Sequence, residues 1–219
     1  MKVLSYGGGV QTFAMLVMIE QGILEKPDLI IMADTKAEYP ETEAHVETIA
    51  RPLIQSLGIP FIIVVHEEGL IDGYIKQNSI PIAGFRSCTF NYKVRPIHDY
   101  LRTALGEAYT KGKPSVEVWI GISTDEARRE VKRENQNPKW VLQTYPLLEK
   151  GYSRNDLIEL INSSEYPMPR KSGCYMCPYS GTKGFIKLKM SHPHLFEIAR
   201  KMESNYLKHR PERRDGFIS

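Results

Sequence analysis

The chain has 219 residues, 42% hydrophobic and 25% charged, with a formal net charge of +3. These proportions describe a water-soluble globular protein, one generous domain or one domain with a small appendage, and no apolar run approaches bilayer-spanning length. Three cysteines make no disulfide framework; in a reducing compartment they point to metal or thiol chemistry, and a chain entering its first strand with no signal peptide is expected in the cytoplasm, with no membrane partner.

Lys2–Tyr6 reads as a first strand, running into Ser5-Tyr6-Gly7-Gly8-Gly9-Val10-Gln11-Thr12 and a helix over Gln11–Glu20 closed by Gly22. Three successive glycines let main-chain amides approach an anion without interference from Cβ. Thr12 adds a hydroxyl, and the helix start directs its positive dipole end to the same point. The loop therefore suits a phosphate or nucleotide, although a glycine turn after a buried strand serves structure alone about as often. It is neither a Walker P-loop, since no Gly-Lys-Ser/Thr follows, nor a dinucleotide Gly-x-Gly-x-x-Gly.

Asp28–Ala33 is a second, buried strand, followed by a helix from about Glu41 to Leu57 ending at Gly58. Pro60–Val65 is a third strand, Arg95–Leu105 a helix, and Val116–Ile122 a fourth strand. Tyr145–Leu148 reads as a short extended piece, Arg154–Ile161 as a helix capped by Ser153, and Ser191–Tyr206 as a final helix. Between the last two lies a Pro/Gly/Cys-rich loop, Tyr166–Gly184, of a length that is usually functional.

Continuous apolar strands separated by helices indicate an α/β fold, doubly wound on a mostly parallel five-stranded sheet of order 3-2-1-4-5. We expect a nucleotide-binding domain over residues 1–150 and a C-terminal lobe over 151–219 with the cysteine loop and a basic helix. Ligands of such sheets sit beyond the carboxyl ends of the strands. There the chain places the glycine loop, Asp34-Thr35-Lys36-Ala37-Glu38, and Gly121-Ile122-Ser123-Thr124-Asp125-Glu126. Asp34 suits magnesium or a ribose. The basic C-terminal stretch (Lys183, Lys187, Lys189, Arg200, Lys201, Lys208, Arg210, Arg213, Arg214) suits polyphosphate or nucleic acid about as well as a solvated helix face. The same two readings hold for Arg128, Arg129, Lys132 and Arg133. His66 reads as a packed histidine, Trp119 and Trp140 as core.

Five motifs in order resemble the phosphoadenosine phosphosulfate reductase family in its broad sense, within the pyrophosphate-loop (PP-loop) ATP pyrophosphatases of the adenine nucleotide alpha hydrolase-like superfamily. They are Ser5–Thr12; Asp34-Thr35 with Glu38-Tyr39-Pro40-Glu41-Thr42; Arg86-Ser87-Cys88-Thr89 with Tyr92-Lys93-Val94-Arg95-Pro96; Gly121-Ile122-Ser123 with Asp125-Glu126 and Arg128; and Ser172-Gly173-Cys174-Tyr175-Met176-Cys177-Pro178. The chain departs from the usual Ser-Gly-Gly-x-Asp-Ser loop at Gln11 and Thr12, which leaves the holding of magnesium open. It also has no cysteine after Cys177, where assimilatory sulfonucleotide reductases carry a nucleophile.

The resemblance implies ATP and Mg2+ at Ser5, Gly7, Gly8, Gly9, Gln11, Thr12, Asp34, Thr35, Gly121 and Ser123. Arg86, Lys93, Asp125 and Arg128 are the implied catalytic residues, with Arg86, Lys93 and Arg128 on phosphates or acceptor. Cys88, Cys174 and Cys177 offer three thiolates. A structural zinc ion needs a fourth ligand such as His98, His192 or His194, none at a recognisable spacing. A [4Fe–4S] cluster with one open iron, as in related nucleoside thiolases, matches better, its charge offset by Arg86, Lys93, Arg95, Arg170 and Lys171. The implied activity is ATP-dependent adenylation of a nucleic-acid or nucleotide acceptor and sulfur transfer from a sulfur donor. A sulfonucleotide reductase supplied by an electron donor is the alternative, and a non-catalytic nucleotide-binding module with Zn2+ the second. A homodimer is left open.

Overall fold

A computed structural model of the protein describes residues 1–106, 113–129, 138–212, 216 and 218, with Arg129 in its backbone only. Lys132, Arg133, Arg213 and Arg214 lie outside the described residues. In chain order the elements are β1 (Lys2–Ser5), α1 (Val10–Glu20), β2 (Leu29–Asp34), α2 (Pro40–His45), α3 (Arg51–Ser56), β3 (Phe61–Val65), α4 (Leu70–Lys76) and α5 (Ser87–Thr89). There follow α6 (Arg95–Leu105), β4 (Val116–Ile120), β5 (Val141–Thr144), α7 (Pro146–Glu149), α8 (Arg154–Asn162), α9 (Gly181–Ser191) and α10 (Pro193–His209). Two π-helical turns, Val46–Ala50 and Phe90–Val94, join α2 to α3 and α5 to α6.

The strands form one sheet in the expected order β3-β2-β1-β4-β5. Val3 lies opposite Leu29 of β2 and Val118 of β4, and Val118 opposite Gln143 of β5, all in parallel pairs. Leu29 through Ala33 are buried without alternation, the pattern of a strand covered on both faces. In α1 every residue from Thr12 to Ile19 is buried, so it has no solvent stripe and forms the middle of the core. Each large side chain in such a position contributes about 1.5–3 kcal/mol. α8 begins at the expected cap. Ser153 Oγ accepts the Asp156 N–H (3.3 Å) and Asp156 Oδ2 accepts the Ser153 N–H (2.7 Å), a closed capping box. Its Leu157 and Ile161 join α1 in one core.

The chain gathers into two compact units, interleaved in sequence. The first comprises Met1–Met32, Pro40–Val64 and Ile97–Ser172; the second comprises Ala33–Tyr39, Val65–Pro96 and Gly173–Ser219. The expected boundary at residue 150 therefore falls inside the first unit, because α8 packs on α1. The second unit has its own core of Leu70, Tyr74, Tyr92, Tyr175, Phe185, Leu195 and Met202. Two local expectations also change. The strand near 145 ends at Thr144, and Pro146 starts the short α7, since proline at a first helical position gives up no needed N–H. The Tyr166–Gly184 loop is shorter than expected, because α9 starts at Gly181 and buries Phe185 and Leu188. Among the described residues no helix is long and apolar enough to cross a membrane.

Candidate functional site

In the first unit the glycine loop is shaped by main chain. Gly9 precedes α1 in extended conformation and no side chain caps the helix, so its first-turn N–H groups have no intrahelical acceptor and suit an anion. Thr12 Oγ1 accepts the Gly7 N–H (3.2 Å) and donates to the Gly9 carbonyl (3.3 Å), which ties the hydroxyl to the loop. Gly8 has φ +67°, and a Cβ there would stand 3.0 Å from Thr42 Cγ2. A Cβ on Gly9 would stand 2.5 Å from Ser172 Oγ, and one on Gly121 2.7 Å from Thr12 Cγ2. One hydroxyl beside this cradle, Thr42 Oγ1, is buried and has no hydrogen-bond partner among the described residues. A buried hydroxyl left so costs about 1–3 kcal/mol. These glycines and the unpartnered Thr42 hydroxyl fit an anionic ligand.

The rim of the loop is charged. Gln11 Oε1 accepts from Arg154 (3.1 Å), and Gln11 Nε2 donates to Glu126 Oε2 (3.2 Å). Glu126 thus sets a carboxylate beside the position where the usual loop has an acid. Asp125 Oδ1 accepts the Arg154 N–H at 2.8 Å. Desolvation is the largest influence and works against its ionisation, but the Arg154 N–H, the Ser123 hydroxyl, its own N–H and the Arg154 charge together hold the carboxyl below its ordinary value. Ser5 ends β1, and Arg128 is exposed on the 3-10 turn Thr124–Arg129. Arg154 had no part in the sequence reading. Its signal was a cation at the start of a helix, where the dipole disfavours one. Arg170 does not stand free to offset thiolates, because it pairs with Glu41 at 2.8 Å. His98 packs on Trp140, and both tryptophans are buried as expected.

The second unit holds the cysteines. Cys88 lies in α5 after Arg86, whose φ is +47°. The adjoining π turn carries Lys93 and buries Tyr92; such turns recur at functional positions. Cys174 and Cys177 flank a tight turn closed by the Cys177 N–H on the Cys174 carbonyl (3.1 Å), with Tyr175 and Met176 buried between them. Glu38 organises the group. It is 5% exposed, pairs with Lys93 Nζ at 2.9 Å, accepts the Gly173 N–H at 2.9 Å, and lies 3.9 Å from Cys174 Sγ. Thr35, expected with the nucleotide, is buried with its Oγ1 3.5 Å from Cys174 Sγ. Asp34 gives both carboxylate oxygens to Lys36 (2.7 Å each). Glu38 stood in a motif without a role; an acid in the apolar company of Ala37 and Tyr39 was the available signal.

Burial pushes the Cys174 thiol up to about 11 and raises Cys177 as well. For Lys93 burial acts downward, yet Glu38 and the thiols of Cys174 and Cys88 prevail and hold the ammonium above the ordinary lysine value. Cys177 feels Cys88, Cys174 feels Cys177, and Lys93 feels Cys88 and Cys174, so the three sulfurs share one electrostatic neighbourhood. Among the described residues no three His, Cys, Asp or Glu side chains form a ready metal cage. The donor chemistry, three soft sulfurs beside a lysine and an arginine, is of the kind that iron–sulfur clusters take. It fits zinc less well: His192 lies against Tyr39 and His194, and His66 packs on Tyr92.

The family model described as "Phosphoadenosine phosphosulfate reductase domain" matches residues 1–170. An uncharacterized protein of Methanocaldococcus jannaschii is 24% identical over 172 residues, which is 76% of this chain but only 39% of that relative. A phosphoadenylyl-sulfate reductase from Candida auris, solved with phosphate, superposes with TM-score 0.51 at 15% identity over 80% of this chain and 82% of its own. The U34-tRNA thiolase NcsA of Methanococcus maripaludis, solved with its [4Fe–4S] cluster, gives TM-score 0.48 at 17% identity over 100% and 76%.

Proposed function

We propose that this chain, which belongs to the phosphoadenosine phosphosulfate reductase domain family, is an ATP-dependent sulfurtransferase-like enzyme acting on a nucleic-acid or nucleotide acceptor. One observation carries the reading. Cys174 and Cys177 flank one tight turn, and Cys88 and Cys174 pack against the same core of the second unit, which supports a shared role for the three thiols rather than a separate reductase nucleophile.

In this reading the glycine loop and the start of α1 bind the phosphates of ATP, with Thr12, Ser123 and Gly121 shaping the cradle. An acceptor oxygen attacks the α-phosphorus, pyrophosphate leaves, and the acceptor carries AMP. Backbone N–H groups stabilise the charge that gathers on the departing pyrophosphate. Magnesium would be held at the rim by Glu126 and Asp125, with Arg128 on phosphate. Hydrosulfide-level sulfur from an external donor then displaces AMP, which carries away the acceptor's oxygen as carbon–sulfur bonding replaces carbon–oxygen. Cys88, Cys174 and Cys177 would hold a [4Fe–4S] cluster, whose open iron supplies a binding position for that sulfur. Lys93 and Arg86 balance the charge of three thiolates, and Glu38 fixes Lys93. Asp34 and Thr35, assigned to the nucleotide by resemblance, leave that role in this reading because their side chains engage Lys36 and Cys174.

The family match favours one second reading, reduction of a sulfonucleotide bound at the same loop. An assay separates the two. Anaerobically prepared protein is given ATP, sulfide and an acceptor pool, or else a sulfonucleotide and a thiol reductant. Pyrophosphate and AMP in the first mixture are the expected result. Sulfite in the second, with no pyrophosphate in the first, would replace transfer by reduction.

A further inference from the structure

Beside the cysteines, the second unit has an uneven charge pattern. Residues 79–96 and 173–196 contain no aspartate or glutamate, yet hold, besides the Lys93 paired with Glu38, five cations: Arg86, Arg95, Lys183, Lys187 and Lys189. Among them large rings stand in solvent: Phe85 is 83% exposed, Phe90 53% and Tyr179 56%. The Arg86 guanidinium lies 5.1 Å over the Tyr179 ring, and Tyr179 Oη accepts the Gly84 N–H at 2.7 Å. The segment that carries Phe85 is thereby fastened to the residues just after Cys177. Exposed rings interleaved with cations, without acids, form the pattern on which single strands stack.

A pocket of about 330 Å³ opens at this surface, walled by Tyr74, Ile80, Ile82, Phe85 and Tyr92. Its polar groups are Gln77, Ser79, Ser87 and Asn91. Ser79 Oγ is buried without a hydrogen-bond partner among the described residues. Ser87 is held by the Tyr74 hydroxyl at 3.2 Å, and the next residue is Cys88. The volume falls at the small end of ligand pockets. Flat apolar walls with side-chain amides match an aromatic heterocycle whose edge both donates and accepts hydrogen bonds.

We propose that this pocket receives one unpaired nucleobase of a single-stranded nucleic acid, stacked on Phe85 and met at its edge by Asn91 and Gln77, with Arg86 on a flanking phosphate. The assignment rests on the reading above that the acceptor is a nucleic acid or nucleotide, and narrows it to an unpaired base in a strand. A base inside a duplex would have to leave its stack to enter, so single strands bind better than duplexes. Phosphate contacts make the binding salt-dependent.

The test is fluorescence anisotropy of the full chain, without ATP, on a labelled single-stranded oligonucleotide and the matching duplex, with a nucleoside monophosphate as competitor. We expect duplex binding roughly tenfold or more weaker. Phe85→Ala, at a position too exposed to affect folding, should weaken single-strand binding by between about fivefold and a hundredfold, and Asn91→Ala should weaken it further. Equal binding of duplex and single strand, or an unchanged Phe85→Ala protein, would overturn the proposal. So would competition by the monophosphate as effective as by the strand, which would put a free nucleotide in the pocket. No oligonucleotide binding at all would leave the rings to a protein partner. Phe85-dependent binding by a protein that releases no pyrophosphate would keep the pocket and refute sulfur transfer; pyrophosphate release with Phe85-independent binding would do the reverse.

Discussion

The glycine loop of the first unit and the thiol group of the second are built from opposite materials. The loop is main chain: a Cβ on Gly8, Gly9 or Gly121 would come within 3.0 Å of a neighbouring side chain, and uncharged Thr12 and Gln11 finish it. The thiol group is side chain: a lysine, a buried glutamate, a threonine and three cysteines from three separate stretches of sequence. A main-chain site fails through steric filling, and a side-chain site through loss of one partner. Substitutions in one should therefore leave the other untouched.

The largest expected effect is at Gly121. In Gly121→Val the new side chain meets Thr12 Cγ2 and the Thr12 nitrogen, displacing the start of α1. Charged phosphate hydrogen bonds are worth about 1.5–3 kcal/mol each, so losing two weakens ATP binding roughly a hundredfold or more, read by calorimetry. Gly9→Ala should cost less, because the Ser172 hydroxyl it meets can rotate away. Cysteine alkylation rates should change in neither variant; if they do, the two sites are not separable.

Next comes Glu38→Ala, which strips partners from Lys93 and the Gly173 N–H. The expected loss is about 1–3 kcal/mol of stability, with faster alkylation of Cys174 and ATP binding unchanged. Glu38→Gln, which keeps an acceptor for Gly173, should fall between. An Ala variant with native thiol reactivity would remove Glu38 from its organising place. Arg154→Ala is a smaller change. It frees Gln11 and should weaken ATP binding by up to about tenfold, the worth of one ordinary hydrogen bond.

The smallest effect is in acid. The Asp125 and Asp156 carboxyls are held below their ordinary value of 3.8, Asp125 against desolvation by the Arg154 N–H, the Ser123 hydroxyl, its own N–H and the Arg154 charge together, and Asp156 mainly by Ser153. Folded carboxyls below their unfolded value add stability that is present above that value and lost as pH falls through the folded one. The melting temperature should thus hold from neutral pH to about 5 and drop below about 4. Asp156→Asn should flatten that drop; an unchanged slope would mean that other carboxylates carry it.

The same contrast explains what was legible in the sequence. Strand order, α1 and the glycine loop follow from apolar runs and from glycine, both local signals, and the structure has them as expected. Glu38 acquires its place only by meeting Lys93, 55 residues further on, and no local pattern announces such a meeting. The resemblance implies a nucleotide role for Thr35, whereas folding turns its hydroxyl to Cys174. α9 was hidden because Gly181 and Gly184 are poor helix formers; burial of Phe185 and Leu188 supplies what propensity lacks. The interleaved units were out of reach for the same reason, since contacts rather than composition define them.

The central claim is that the three thiols of the second unit turn a nucleotide-binding fold to sulfur chemistry by holding an iron–sulfur cluster. Anaerobic iron, zinc and sulfide analysis of the full chain, beside the Cys174→Ala variant, tests it most directly. The account predicts about four irons and four sulfides per chain, lost in the variant together with pyrophosphate-linked sulfur transfer. One zinc and no sulfide in the unaltered chain, or full transfer activity in the Cys174→Ala protein, would contradict it.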